Sequence, residues 1–132
     1  MGLFIYAAVR NDDTGIYQPP WEQWLRQHFP NWAFVDLDNR SDPSFLSYIQ
    51  QATKEHNRII VMIELKTSSN APLGSASTLL QRLAREQPSE TVFLLQGEHP
   101  SLKKMGKAFR LFHQTNSQEE MEQRLKQVLE IN

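Results

Sequence analysis

Short apolar runs alternate along the chain with segments in which apolar residues recur at every third or fourth position. Polar residues, glycines and prolines typical of turns bound the apolar runs, which indicates strands. The segments between them carry a single apolar stripe, which indicates amphipathic helices. The pattern predicts five strands that alternate with five helices. The predicted strands are Leu3–Val9, Trp32–Asp38, Arg58–Leu65, Thr91–Leu95 and Phe109–His113.

Prolines and capping residues mark where the helices begin. Pro19-Pro20 can open the first helix, Ser41-Asp42-Pro43 supplies a cap and a proline for the second, and Ser117 to Glu120 forms a capping-box pattern before the last. A short helix is predicted over Ser101–Lys107. The predicted helical stripes contain Trp21, Trp24, Leu25, His28 and Phe29 in the first helix; Phe45, Tyr48, Ile49 and Ala52 in the second; Leu79, Leu80, Leu83 and Ala84 in the third; and Met121, Leu125, Val128 and Leu129 in the last.

Strands that alternate with crossover helices pair in parallel, because each helix returns the chain to the same end of the sheet. The expected fold is a three-layer α/β sandwich with a flavodoxin-like five-stranded parallel sheet in the order 2-1-3-4-5. The run Ile59–Ile63 is the most apolar and suits a central strand, whereas the alternation in Phe109–His113 is typical of an edge strand. No linker interrupts the pattern, so residues 1–132 are expected to form one domain.

Composition narrows the classes of function. Fourteen Lys and Arg residues balance fifteen Asp and Glu residues in 132 positions, which leaves no basic field to bind a nucleic acid. The chain has no cysteine, so disulfides, thiolate metal sites and thiol nucleophiles are excluded. No apolar run reaches the roughly 20 residues of a membrane helix. A cytoplasmic protein that binds neither nucleic acid nor membrane is expected.

Candidate binding residues lie where the strands of this fold would end. Ligands of parallel α/β sheets bind at the carboxyl ends of the strands, above the point where the winding reverses between the first and third strands. Tyr17 in the first loop can stack on a ligand. The candidate residues for this crevice are Arg10, Asp12, Asp13, Tyr17, Asp36, Glu64, Lys66, Ser68, Gln96 and His113.

Three acidic residues suggest a metal site. Asp12, Asp13 and Glu64 can together offer the carboxylate oxygens that Mg²⁺ prefers. The alternative is that the acidic pair belongs to a solvated turn. Glu64 ends a very apolar strand, so its charge requires a partner, and Lys66 or Arg10 can supply one. The charged residues of the crevice would then form a locally paired rim.

Other chemistry has weaker support in the sequence. His113 can act as an acid or base near neutral pH if it reaches the rim of the crevice. The four histidines show no metal-binding spacing, and no nucleophile elbow, phosphate-binding loop or dinucleotide fingerprint is present. The segment Gly74 to Thr78 opens a helix and is either an anion cradle or an ordinary serine cap.

From Ile59 to Leu129 the chain resembles a response-regulator receiver domain. The resemblance is carried by Val61-Met62-Ile63-Glu64-Leu65-Lys66, by Gly74 with its helix, and by Val92-Phe93-Leu94-Leu95-Gln96-Gly97. Receiver chemistry requires an aspartate where Glu64 stands, a hydroxyl residue near Gln96 and a lysine near Gln114. Because all three are replaced, the resemblance implies a protein-interaction role without phosphotransfer.

The chain also resembles nucleoside deoxyribosyltransferase-like and Toll/interleukin-receptor-like domains. Phe4-Ile5-Tyr6 with its long following loop carries this resemblance, together with Pro100-Ser101-Leu102 after the fourth strand. It implies a nucleoside or nucleotide substrate. Such enzymes place a glutamate on the helix after the third strand, but Ser75 to Leu83 contains no acidic residue.

The leading functional hypothesis is a non-catalytic regulatory or protein-interaction module similar to a degenerate receiver domain. The alternative is a nucleoside- or nucleotide-binding domain, or an enzyme of the deoxyribosyltransferase-like group that processes a glycosidic bond. A purely structural subunit is a third option. A protein partner or self-association as a homodimer is expected, through a sheet edge or through the apolar stripe of the last helix. No cofactor is predicted beyond the Mg²⁺ considered above.

Overall fold

The structure of the protein is a computed structural model that shows one parallel sheet with helices on both faces. It describes residues 2–9, 20–28, 30–38, 43–56, 58–65, 74–86, 91–109 and 111–131. Within these ranges, five strands alternate with five helices. The elements are β1 Leu3–Val9, α1 Pro20–His28, β2 Ala33–Asp38, α2 Pro43–Lys54, β3 Ile59–Leu65, α3 Ser75–Glu86, β4 Thr91–Gln96, α4 Pro100–Gly106, β5 Leu111–Thr115 and α5 Gln118–Ile131.

The strands pair in parallel in the order β2-β1-β3-β4-β5, which confirms the predicted flavodoxin-like sheet. β1 and β3 lie side by side, with Leu3 opposite Ile59 and Val9 opposite Leu65. The winding direction therefore reverses between these two strands, as predicted. β2 and β5 form the two edges of the described sheet, and the expected edge position of the fifth strand is confirmed.

Two apolar clusters fill the space between the sheet and the helices. Successive side chains of a strand point to opposite faces, so Ile5 belongs to one cluster and Tyr6 to the other. The first cluster includes Ile49 of α2, residues of α3 and Leu102 of α4. The second includes Leu125 of α5, and Trp24 of α1 packs against it. Helices α2, α3 and α4 thus cover one face, and α1 and α5 cover the other.

The predicted start of the fifth strand is wrong by two residues. The strand begins at Leu111 and continues to Thr115, whereas Phe109 belongs to the turn that follows α4. The backbone N–H of Phe109 donates to the carbonyl of Gly106, and its buried ring packs edge-on against Phe93 at a centroid distance of 5.7 Å. The alternation of apolar residues does not distinguish this turn from a strand, because Phe109 is buried in the turn as a strand residue would be.

Tyr48 does not join the core as predicted. Its side chain is 63% exposed, whereas Ile49 and Thr53 of the same helix are buried. Residues one position apart on a helix are separated by about 100°, while residues four apart share a face. The buried stripe of α2 is therefore centred on Ile49 and Thr53. Tyr48 and the partly buried Ala52, which are also four positions apart, lie to one side of it.

The apolar stripe of the last helix packs within the chain. Met121 and Leu125 are fully buried against the sheet and Val128 nearly so, while Met105 of α4 is partly buried in the opposite cluster. These buried residues of the stripe do not offer an exposed surface, while self-association of the chain stays a prediction. In the part of the chain that the structure describes, no helix combines the length and apolar character needed to cross a membrane.

Candidate functional site

Polar residues occupy one register level at the carboxyl ends of the strands. Asp38 of β2 aligns with Ala8 of β1, then with Glu64 of β3, Gln96 of β4 and Thr115 of β5. Residues at one register level of a parallel sheet share a face, and neighbouring strands lie about 4.8 Å apart. We call Glu64, Gln96 and Thr115 the polar row. It follows Met62 and Leu94 of the α5-facing cluster along their strands.

Glu64 is held inside the protein by a hydrogen bond from Tyr6. Its side chain is only 5% exposed, and Tyr6 is fully buried. The Tyr6 hydroxyl donates to Glu64 Oε2 over 2.9 Å. A buried carboxylate requires such donors, because an unpaired charge in the interior costs several kcal/mol. The bond therefore links the middle of β1 to the carboxyl end of β3, the strands on either side of the winding reversal.

Gln96 and Thr115 present buried polar atoms of a different kind. The Oε1 atom of Gln96 and the Oγ1 atom of Thr115 are both buried, and neither has a hydrogen-bond partner among the described residues. Thr115 as a whole is 2% exposed. The two residues are direct register neighbours on β4 and β5. Buried polar atoms in native proteins are nearly always hydrogen-bonded. Two buried oxygens without a partner among the described residues are therefore unusual.

The loop after β4 is fixed to β5 by two hydrogen bonds. The backbone N–H of Gly97 donates to the Thr115 carbonyl over 2.9 Å, and Gln114 Nε2 donates to the Gly97 carbonyl over 2.8 Å. Gly97 has a φ of +112°, and a Cβ atom there would lie 2.9 Å from Leu65 Cβ. Only glycine fits this conformation and contact. The backbone beside Gln96 and Thr115 is thus held in place.

His113 lies two register positions before the polar row and not at the end of its strand, because β5 continues to Thr115. It is aligned with Leu94 on the side of the sheet that α5 covers. Burial lowers the pKa of His113 from its ordinary value, and the positive charge of Arg124 on α5 lowers this pKa further. Both causes favour the neutral imidazole in the folded protein.

The burial of His113 makes the stability of the folded protein sensitive to acid. Because the pKa of His113 is lower in the folded protein than in the unfolded chain, the unfolded chain binds more protons as the pH falls through about 6.5. The stability that the folded protein gains from keeping His113 neutral is present above that pH and is lost progressively below it. We expect His113→Gln to reduce the fall in the melting temperature between neutral and mildly acidic pH. Arg124→Gln should reduce it only in part, because burial is the larger cause; an unchanged pH profile in His113→Gln would contradict this account.

Six of the predicted crevice residues lie outside the described part of the chain. Of the others, Asp36 is placed on β2 opposite Tyr6. Glu64 and Gln96 lie side by side at the carboxyl ends of β3 and β4, and His113 lies two register positions before that level on β5. The predicted pairing of Glu64 with Lys66 or Arg10 and the predicted mixed-charge rim stay predictions. The residues outside are Arg10, Asp12, Asp13, Tyr17, Lys66 and Ser68.

The proposed magnesium site also depends on those undescribed residues. Among the residues that the structure describes, no group of three or more His, Asp or Glu side chains could hold a metal ion. Glu64 is the described member of the predicted triad, and one of its oxygens accepts the Tyr6 hydroxyl. Mg²⁺ binding by Asp12, Asp13 and Glu64 stays a prediction.

Sequence reasoning missed two members of this region, Tyr6 and Thr115. The apolar run around Tyr6 predicts only a core strand residue, although its hydroxyl donates a hydrogen bond to Glu64. A tyrosine inside a fully apolar run is a usable signal, because a buried phenol normally finds a hydrogen-bond partner. Thr115 falls outside the predicted fifth strand, which ends at His113.

Comparison of the chain with protein-family models, with curated proteins and with solved structures gave no match.

Proposed function

We propose that this chain is a non-catalytic regulatory or protein-interaction module whose recognition residues lie at the carboxyl ends of its strands. The state of Glu64 is the observation that carries the proposal. This carboxylate stands at the end of the central strand β3, where the resemblance to receiver domains would require the phosphate-accepting aspartate. It is buried and hydrogen-bonded to the Tyr6 hydroxyl.

Both expected chemistries require a carboxylate that is accessible to substrate. A phosphate acceptor must attack an incoming phosphoryl group, and a glycosidase-type glutamate must reach the sugar carbon or the leaving group. Glu64 is 5% exposed and accepts the Tyr6 hydroxyl through Oε2. These contacts favour a role in holding β1 and β3 together. They also disfavour glycosidic-bond processing through Glu64 as the alternative function.

Binding of a small nucleotide-like ligand is a second candidate function. The observation that favours it is the polar row, which provides side-chain oxygens at the end of the sheet where ligands of this fold class bind. A protein partner stays part of the main proposal. Since Met121 and Leu125 are buried, the apolar stripe of α5 is not the surface that such a partner would contact.

A combined binding and turnover assay tests the non-catalytic proposal. The chain is incubated with nucleosides, nucleotides, acetyl phosphate and Mg²⁺, while the melting temperature and the mass of every component are recorded. We expect one or more compounds to raise the melting temperature in a concentration-dependent manner, because a ligand that binds the native state stabilises it by mass action. We expect no phosphorylated protein and no released base.

Chemical change of the bound compound would contradict the proposal. A phosphoryl group on the chain, or a free base formed from a nucleoside, would show that the site is catalytic. A Glu64→Gln variant then identifies the group responsible, since glutamine retains an acceptor oxygen for Tyr6 but removes the carboxylate. If that variant no longer converts the compound, the reaction depends on the Glu64 carboxylate.

A further inference from the structure

β5 lies at one edge of the sheet. Among the described residues, no strand pairs with the outer side of this strand, Leu111–Thr115. Leu111 is 39% exposed, and Phe112, His113 and Gln114 each keep part of their surface exposed. A second strand can therefore reach this edge from solvent.

The backbone of β5 directs the hydrogen-bonding groups of two residues away from the sheet. The Gly97 N–H donates to the Thr115 carbonyl over 2.9 Å, so the backbone groups of Thr115 face β4. In a parallel pair, successive residues of a strand face opposite neighbours, and His113 therefore faces β4 as well. The N–H and carbonyl groups of Phe112 and Gln114 point outward, where a further strand can bind them.

β5 lacks the features that commonly prevent edge strands from pairing. Edge strands are often protected by charged side chains or by proline, and the sequence of β5, Leu-Phe-His-Gln-Thr, contains no proline, lysine or carboxylate. The other edge strand, β2, includes Asp36 and Asp38. Of the two edges, β5 is therefore better suited to pairing.

A second copy of the chain can bind all the outward groups of β5 at once. A strand that pairs with its own copy about a two-fold axis runs antiparallel to it. When His113 lies opposite the partner's His113, Phe112 of each copy lies opposite Gln114 of the other, and each of these pairs exchanges both N–H···O bonds. A shift of the register by two residues would pair only one of these residues within the strand.

The charges of α5 fit the same two-fold arrangement. α5 contacts both β4 and β5, so its copy would lie about 10 Å away, a normal distance between packed helices. Glu120 and Arg124 are exposed and four positions apart, hence on one face of α5. The charge of Arg124 lowers the pKa of His113, which places this face beside the edge strand. Because the two helices run antiparallel, Glu120 of each copy can approach Arg124 of the other.

We propose that the outer edge of β5 is a self-association surface through which two copies of the chain form one continuous sheet. The two strands pair antiparallel about a two-fold axis at His113, and Glu120 and Arg124 form ion pairs between the α5 helices. The partner is a second copy, because the backbone groups and the charges of this edge complement themselves after a two-fold rotation. This surface goes beyond the proposed function and does not involve its residues, so the two can fail separately.

Sedimentation velocity at increasing protein concentration measures the association. We expect the chain to convert from the mass of one chain to twice that mass without larger species, because a two-fold pair closes on itself. A chain that stays monomeric up to millimolar concentration would overturn the proposal. Species that grow beyond the dimer would also overturn it, since they indicate a contact that does not close.

Single-cysteine variants test the register. The chain has no cysteine, so His113→Cys can form a disulfide only with the same residue of a second copy. Opposite residues of a non-hydrogen-bonded pair have Cα atoms about 4.5 Å apart, within the range for a disulfide. Leu111→Cys is the matched control on the same strand, because its two copies would lie about 13 Å apart along the strands.

Under oxidising conditions we expect a disulfide-linked dimer of His113→Cys and none of Leu111→Cys. Failure of His113→Cys to form the disulfide, or an equal yield in both variants, would overturn the two-fold axis at His113.

Charge reversal tests the contact between the helices. Arg124→Glu should raise the dissociation constant of the dimer about tenfold, since it converts two ion pairs into like-charge contacts. Addition of Glu120→Arg to this variant restores opposite charges and should restore the dimer. Lys126→Glu makes the same charge change at an exposed position on the other side of α5 and should have little effect. Equal weakening by Arg124→Glu and Lys126→Glu, or no recovery in the double variant, would contradict the proposed arrangement.

Discussion

Phe93→Ala should lower the free energy of unfolding by about 3–5 kcal/mol, which is the usual cost of deleting a buried aromatic ring. Phe93 is fully buried at the centre of β4. Its ring contacts Phe109 at a centroid distance of 5.7 Å and Phe112 at 5.1 Å. The substitution leaves a cavity between the sheet and α4, and domains of this size are stable by only about 5–15 kcal/mol. Urea unfolding followed by circular dichroism measures the loss.

Leu111→Ala is the control for this prediction. Leu111 lies on the neighbouring strand β5, but 39% of its surface is exposed. Its truncation should cost less than about 1 kcal/mol, since solvent fills the space. If Phe93→Ala does not fold, Phe93→Leu provides a milder test with the same sign. Equal losses for Phe93→Ala and Leu111→Ala would contradict the packing described for β4.

Tyr6→Phe should lower the free energy of unfolding by about 1–3 kcal/mol. The substitution keeps the buried ring and deletes only the hydroxyl that donates to Glu64 Oε2. The cost arises because a buried carboxylate loses a donor that water does not replace. Tyr48→Phe makes the same chemical change on a side chain that is 63% exposed and should alter stability by no more than about 0.5 kcal/mol.

A double-mutant cycle shows whether the loss comes through Glu64. In a Glu64→Leu background the carboxylate is gone, so Tyr6→Phe should cost much less than it does in the parent protein. The difference between the two costs is the coupling energy, which for groups in contact is about 0.5–3 kcal/mol. Equal costs in both backgrounds would show that the hydroxyl acts independently of Glu64, and the structural role proposed for this carboxylate would fail.

The sheet could be predicted from the sequence because burial constrains it strongly. A central parallel strand is covered on both faces and therefore appears as a continuous apolar run, as Ile59–Ile63 does. Crossover helices then allow few strand orders. The errors arise where one sequence pattern is compatible with two local structures. Phe109 is buried as a turn residue and not as a strand residue. Tyr48 lies one position away from the buried stripe of its helix.

The candidate site could be located from the sequence but not assembled from it. The winding reversal indicated the carboxyl ends of β1 and β3, and Glu64 lies there. Which donor satisfies Glu64 depends on register, because Tyr6 and Glu64 are far apart in the chain and meet only when β1 pairs with β3. The position of Gln96 beside Thr115 likewise depends on the pairing of β4 with β5. Local sequence patterns do not reveal contacts between residues that lie far apart in the chain.

The position of β1 in the middle of the sheet has a consequence for folding during synthesis. β1 is synthesised before its partner β3, which follows only after α1, β2 and α2. Until β3 has been made, the apolar strand Leu3–Val9 can pair with β2 along one side only, and its other edge has no native neighbour. Delayed pairing of this kind slows folding and exposes strand edges to other chains. Nascent or truncated chains that end before β3 are therefore the forms of this protein most prone to aggregate.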